Sequence, residues 1–271
     1  MKIAICISGL IREAKACYPN FKKYLLDANP NCEFDIYIHT WIPDRSQLVK
    51  PQPKDECSLQ EVLNLYKPRD YIVELYNKTM RERHLKECRI EEIREWIKQL
   101  DIPRRIDGRW ASHVKCEICG KWGKKAEKCR ICGGNLTVNV LAMHYSIWKA
   151  NLISKADNYD LVLRWRFDNY LQAPYLIELV PGNKIEVLAG YDNFPEFGGA
   201  INDQAALAHP WVMTYAYANC YQDFYHLARQ CVERGWDIFA HSILQTSLEN
   251  ENINITRKDV KYCLFKNKDR K

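Results

Sequence analysis

Short apolar runs alternate along this chain with stretches of helical spacing, the pattern of an α/β sheet. Lys2 to Ser8 is almost continuously apolar, as a parallel strand covered on both faces requires. Residues 11–27 then read as helical, with Phe21, Tyr24 and Leu25 turned inward and Pro19 marking a start or a kink. Phe34–Ile38 predicts a second strand ending in His39-Thr40-Trp41, and the proline-rich polar stretch 43–54 predicts a loop. Leu59–Tyr66 predicts a short helix stopped at Lys67-Pro68, followed by a third strand at Tyr71–Leu75. From about Arg81 to Leu100, Ile90, Ile93, Ile97 and Leu100 recur at three- and four-residue steps, predicting one charged amphipathic helix.

The second half continues the alternation. A helix with Leu141, Tyr145, Trp148 and Leu152 on one stripe precedes a turn at Asp157–Asp160 and a strand at Leu161–Phe167. Lys184–Leu188 predicts another strand. Residues 190–202, rich in Gly, Pro and Asn, predict a loop over a site. The rest reads as mostly helical, at about 203–217, 219–234 and 238–250, with strand-like ends at Ile253–Thr256 and Val260–Leu264. The expected fold is α/β: a mixed, mostly parallel sheet flanked by helices, one domain over 1–271 with an insertion at 108–136.

That insertion carries the sharpest chemical signal. Cys116-Glu-Ile-Cys119 and Cys129-Arg-Ile-Cys132 are separated by nine residues, and each pair is followed by glycine, Gly120 and then Gly133-Gly134. Two thiolate knuckles of this kind complete a tetrahedral Cys₄ site, so a structural Zn²⁺ on Cys116, Cys119, Cys129 and Cys132 is expected. The other eight of the twelve cysteines follow no framework, and Cys6 and Cys17 fall among core-like residues, as buried free thiols do.

Composition adds bounds. At 47% hydrophobic, 271 residues can bury a full core. Met1 to Ser8 runs directly into a strand pattern, and no 18-residue apolar run occurs, so a soluble, cytoplasmic protein of a cell or of a viral host cell is expected. A net charge of +6 suits an anionic ligand such as a nucleotide diphosphate, an acidic glycan or nucleic acid without choosing among them. Much of the excess lies in Lys115–Arg130 and Lys258–Lys271, which also read as solvated surface.

In open α/β sheets, ligands bind outside the carboxyl ends of the strands. Three constellations fall there. Ser8-Gly9-Leu-Ile-Arg12 follows the first strand and is either an ordinary βα turn or a phosphate cradle of backbone N–H groups with a guanidinium. It lacks the three spaced glycines of a dinucleotide fingerprint. Arg164, Arg166 and Asp168 alternate onto one face of the Leu161–Phe167 strand, either as an internal ion pair or as a setting for a diphosphate, with or without a divalent cation on Asp168. Asn202-Asp203-Gln204 offers an acid at a predicted helix start, as an N-cap or as a carboxylate aimed at a hydroxyl. His39 and Trp41 at a strand end could touch a base or sugar ring, whereas His241 reads as structural.

In this order, Ser8-Gly9-x-x-Arg12, Asp35-Ile-Tyr-Ile-His39-Thr-Trp41, Tyr66-Lys-Pro68, Tyr145-Ser-Ile-Trp-Lys-Ala, Tyr159-Asp-Leu-Val-Leu-Arg164-x-Arg166-x-Asp168 and Asn202-Asp203-Gln204 resemble virus- and bacterium-encoded glycosyltransferases similar to WavE-type lipopolysaccharide-synthesis proteins. The resemblance spans the chain except about 105–136. It implies a GT-A-like fold and transfer of a sugar from a nucleotide-sugar donor to a glycan or lipid-linked acceptor. It further implies that Ser8, Gly9 and Arg12 hold the nucleotide, that Asp168 binds the diphosphate or a metal, and that Asp203 faces acceptor or sugar. The Asp-x-Asp common in such enzymes reads Arg166-Phe-Asp168-Asn169 here. Mn²⁺ or Mg²⁺ with the nucleotide sugar is thus one candidate, and diphosphate neutralisation by Arg164 and Arg166 the other.

The rival is a zinc-ribbon nucleic-acid-binding protein, from Lys115, Lys121, Lys124, Lys125, Lys128 and Arg130 interleaved with Trp122. It leaves the large α/β body without a role. A methyltransferase would want Gly-x-Gly after the first strand and a nucleotidyltransferase a close acid pair, and neither pattern is present.

Overall fold

The computed structural model describes residues 1–43, 57–100, 114–115, 122–123, 136–189, 201–236 and 238–264. Its strands are β1 (Lys2–Gly9), β2 (Glu33–Pro43), β3 (Asp70–Tyr76), β4 (Val114–Lys115), β5 (Trp122–Gly123), β6 (Leu161–Trp165), β7 (Asn169–Leu171), β8 (Lys184–Leu188), β9 (Ala206–Ala208), β10 (Asn254–Lys258) and β11 (Tyr262–Leu264). The α-helices are α1 (Ala14–Phe21), α2 (Leu59–Tyr66), α3 (Lys78–Glu87), α4 (Ile90–Gln99), α5 (Leu136–Ser154), α6 (Phe224–Glu233) and α7 (Ala240–Asn250).

One seven-stranded sheet runs in the order β10-β8-β9-β6-β1-β2-β3. Every pairing in it is parallel except those of β9, which is antiparallel to both β6 and β8. A mixed, mostly parallel sheet flanked by helices is therefore the fold, and its α/β class is what the alternation predicts. β1 is central because both its faces are apolar. Ile3, Ile5 and Ile7 point to a core shared with Phe21 and Leu25 and with Val62 and Tyr66 of α2. Ala4 and Cys6 point to the opposite core, which holds α4, α5, α6 and α7. Burying apolar side chains on both faces contributes ~25 cal/mol per Å² removed from water and makes the middle of the sheet the stable part of the molecule.

Several local predictions hold in detail. The short helix α2 spans Leu59–Tyr66 as expected, and the structure adds a capping box that the pattern reading did not name: Glu61 N donates to Ser58 Oγ at 3.2 Å while Ser58 N donates to Glu61 Oε2 at 2.9 Å. Lys67 ends it in the left-handed conformation, φ 44°. Cys6 and Cys17 are buried and outside any disulfide, as expected. Among the described residues no helix is long and apolar enough to cross a membrane.

Four expectations change. The single helix over 81–100 is two, α3 and α4, divided where Arg89 takes φ 52°. The isoleucine stripe continues across the break because Ile90, Ile93 and Ile97 all enter the same core, so periodicity alone does not reveal it. Helix α5 is not amphipathic: packed against β1, β2 and β3 on one side and the 218–221 turn on the other, it buries His144, Ser146, Asn151 and Ser154 along with its apolar residues. Leu152, assigned to its inner stripe, is 54% exposed. Strand β6 ends at Trp165, not Phe167. The helix expected from 203 begins with β9 instead, and Ala206-Leu207-Ala208, good helix formers, are claimed by the gap between β6 and β8.

Strands β4 and β5 pair antiparallel, Val114 with Gly123 and Lys115 with Trp122. Cys116, Cys119, Cys129 and Cys132 themselves lie outside the described residues, as do the predicted loop from 44 to 54 and residues 190–200 with Gly198-Gly199.

Candidate functional site

The register of β1, β6 and β9 brings three distant segments together. Arg164 pairs with Cys6 of β1 on one side and with Ala206 of β9 on the other. Because β9 runs against β6, the residues that precede β9 lie beside those that follow β6. Asp203 thus arrives next to Arg166 and Asp168 at the carboxyl edge of the parallel strands. It stands before a strand, so it does not cap a helix.

The chain leaves β6 in a tight turn and re-pairs at β7 with β11. Arg166 closes this turn on itself: Nε donates to Asp168 Oδ1 at 2.9 Å and Nη2 to Asp168 Oδ2 at 2.8 Å. Its Nη1 lies 3.9 Å from Asp203 Oδ2. The three side chains are 27%, 11% and 10% exposed, so they border solvent without lying in it. Asn169 Nδ2 donates to Gln204 O at 2.9 Å and Gln204 N to Asn202 Oδ1 at 2.9 Å, which locks the post-β6 turn to the pre-β9 segment. Burial opposes the charge on Arg166, but Asp168 and Asp203 outweigh it and hold its pKa above the ordinary guanidinium value.

Arg164 is deeper. It is 2% exposed, donates one guanidinium N–H to Trp165 O, and leaves Nε without a partner among the described residues. Burial lowers its pKa to about 10, with Arg166 adding to the effect and Asp203 and Asp168 opposing it, so it stays a cation at neutral pH. A buried guanidinium with an unused donor costs several kcal/mol unless something meets it.

The same neighbourhood collects other unused polar atoms. Seven of the eleven buried side-chain N and O atoms that lack a partner among the described residues belong here: Ser8 Oγ, both His144 nitrogens, Arg164 Nε, Asn169 Oδ1, Gln204 Oε1 and Tyr217 OH. Native proteins leave few such atoms, and their concentration in one place marks where a ligand would supply partners. Burial drives His144 down to about 3, against a contrary pull from Asp203, so it is a neutral imidazole at pH 7. Tyr217 is pushed up by burial and by Asp203, with Arg164 pulling the other way. Gly9, with φ 127°, ends β1 in a conformation that favours glycine, and a Cβ built there meets nothing within 4 Å. Open space therefore adjoins the strand end beside Ser8. The backbone of Arg12 lies in a 3₁₀ turn, Ile11–Glu13; its side chain is outside the described atoms.

Of the expected site residues, the fold brings Ser8, Gly9, Arg164, Arg166, Asp168 and Asp203 together. It does not bring His39 and Trp41 to a ligand surface, which corrects the expectation that they touch a base or sugar. His39 is 0% exposed, its Nδ1 2.7 Å from Ser146 Oγ and its Nε2 2.8 Å from Glu74 Oε2. Trp41 is 5% exposed and packs on His39, Tyr76, His84 and Tyr145. His241 is structural as expected, its Nδ1 bonded to Ile201 O. The residues that pattern reading missed are His144 and Tyr217. His144 sits in a helix that also carries Ser146, Asn151 and Ser154, so a polar residue in that run gives no signal of its own. Nothing in the sequence ties Tyr217 to β6.

No protein family and no curated protein matches the sequence. Among solved structures, the apo crystal structure of mouse xyloside xylosyltransferase 1 superposes with TM-score 0.41 and 7% identity, over 96% of this chain and 86% of that chain. A superposition that loose assigns neither substrate nor residue roles.

Proposed function

We propose that the protein is a glycosyltransferase that moves a sugar from a nucleotide-sugar donor to a glycan or lipid-linked acceptor. The observation that carries this reading is the convergence of Arg164, Arg166, Asp168 and Asp203, with their unused polar neighbours, at the carboxyl edge of β1 and β6. Glycosyl transfer needs the charge of the leaving diphosphate stabilised and the acceptor hydroxyl relieved of its proton. Arg164, with an unused Nε, and Arg166 are the groups for the first task. Asp203 accepts the hydroxyl proton or anchors the acceptor, and Asp168 orients Arg166. Ser8, Gly9 and Arg12 border the nucleotide. The four cysteines Cys116, Cys119, Cys129 and Cys132 would hold Zn²⁺ as a structural clamp on the insertion.

The test is equilibrium binding of UDP-, GDP- and CMP-sugars to the full chain, then turnover with Asp203→Asn. Binding of one donor, lowered by Arg164→Met, together with loss of turnover in Asp203→Asn supports the reading. If no donor binds, and a labelled single-stranded oligonucleotide shifts at low salt instead, the nucleic-acid alternative takes its place.

A further inference from the structure

We infer that Arg166 occupies the position of a divalent cation between Asp168 and Asp203, so that this site neither requires nor takes one. The inference deepens the nucleotide-sugar reading and rests on it for the identity of the diphosphate. A metal on these acids would need their oxygens. Mg²⁺ demands about six oxygen ligands near 2.1 Å, and Mn²⁺ favours the same hard donors. Both oxygens of Asp168 instead accept from one guanidinium in a fork, at 2.9 and 2.8 Å. The third arm of that guanidinium faces Asp203 at 3.9 Å. Among the described residues, no group of three or more His, Cys, Asp or Glu is arranged to hold a metal ion.

Charge balance gives the same answer. Arg164 and Arg166 carry two positive charges against the two carboxylates, the balance that one divalent ion would give on the same acids. A metal ion added on top would be driven off by two guanidinium groups, one of them buried and short of a partner among the described residues. A diphosphate, in contrast, meets the unused Arg164 Nε and Ser8 Oγ. Arginine suits this post better than lysine, because its planar fork can hold Asp168 through two N–H groups while a third points elsewhere.

The experiment has two arms on the full chain. In the first, Mn²⁺ uptake is followed by electron paramagnetic resonance without nucleotide, for wild type, Asp168→Asn, Arg166→Met and the double variant Arg166→Met/Asp168→Asn. Wild type and Asp168→Asn are expected to take up Mn²⁺ alike, while Arg166→Met gains a site that the double variant loses. Uptake by wild type that Asp168→Asn removes would overturn the inference. So would a folded Arg166→Met that gains nothing. In the second arm, donor affinity is measured in resin-treated metal-free buffer, which leaves a tightly held zinc in place, and again with Mn²⁺. The two values are expected to agree within about threefold, and a gain of about tenfold or more with Mn²⁺, abolished by Asp168→Asn, would overturn the inference. Failure of every donor to bind in both buffers sinks the glycosyltransferase reading, and the Mn²⁺ arm still decides the role of Arg166. If Arg166→Met does not fold, the wild-type comparison with Asp168→Asn decides it.

Discussion

Two polar clusters lie on the same side of the sheet, one over β1, β6 and β9, the other over β2 and β3, and they differ in how fully their atoms are paired. In the second, His39 uses both ring nitrogens, on Ser146 and Glu74. Tyr145 OH donates to the other Glu74 oxygen at 3.0 Å. Tyr221 OH donates to Glu87 Oε2 at 2.6 Å and lies 2.7 Å from His84 Nδ1. Trp41, Tyr145, Trp148 and Tyr221 stack around this network. In the first cluster, Ser8, His144, Arg164, Asn169, Gln204 and Tyr217 each hold an atom with no partner among the described residues. A closed network rigidifies the fold, whereas an open one spends stability on readiness for a ligand. The degree of pairing, rather than residue type, separates the two: among the described residues the second leaves only His84 Nε2 without a partner, and both contain histidine, tyrosine and carboxylate.

Breaking the closed cluster should cost the most stability. Tyr145→Ala removes a fully buried ring from the centre of the stack and is expected to lower unfolding free energy by about 3–5 kcal/mol in urea titration, with donor affinity per folded molecule unchanged. A loss under about 1 kcal/mol would mean the stack is not the anchor described.

Acid should act on both clusters through their buried histidines. His144 titrates at about 3 and His84 at about 4 when folded, both lowered mainly by burial from the 6.5 of an unperturbed histidine. The unfolded chain therefore binds protons that the native state refuses. Stability is full above about pH 6.5 and falls as pH drops toward the folded values. His144 alone should cost ~3 kcal/mol between pH 7 and pH 4. His144→Leu should flatten that part of the acid slope, seen as a smaller shift of the urea midpoint across the same range.

Removing one member of the closed network gives a middling effect. His39→Leu takes the ring partner from Glu74 Oε2 and from Ser146 Oγ, which keeps only the backbone oxygen of residue 39, and is expected to cost about 1–3 kcal/mol by the same urea titration. The smallest change in stability, and the sharpest test of the contrast, is Arg164→Met in the open cluster. Replacing a buried, under-paired guanidinium with an apolar chain of similar reach should leave stability within about 1 kcal/mol of wild type or raise it. Donor affinity should fall by about tenfold or more in the same variant. Equal losses of stability for Arg164→Met and His39→Leu would erase the distinction between the clusters.

Much of the fold is legible along the chain. The continuous apolar run of β1, the Ser58–Glu61 cap of α2 and the glycine after Ser8 are local facts with local causes, and they appear where the sequence puts them. The order Arg164, Arg166, Asp168 announces an unusual strand end in the same way. What could not be read depends on partners far away in sequence. The break at Arg89 is invisible because both resulting helices bury isoleucines in one core. His39 and Trp41 look like ligand contacts at a strand end until α3 and α5 cover them. Ala206–Ala208 carries a helical preference that edge-to-edge pairing with β6 and β8 overrides.

The sequence by itself determined the alternation that makes an α/β sheet and the charged residues that end its strands, because burial period and turn chemistry act over a few neighbouring positions. Only the tertiary structure decided that Asp203 meets Arg166 and that His144 and Tyr217 lie buried beside Arg164 and Asp203. Those facts follow from one antiparallel strand folding back beside β6 and from a helix enclosed on most sides, and pairing across such distances leaves no periodic trace in the chain.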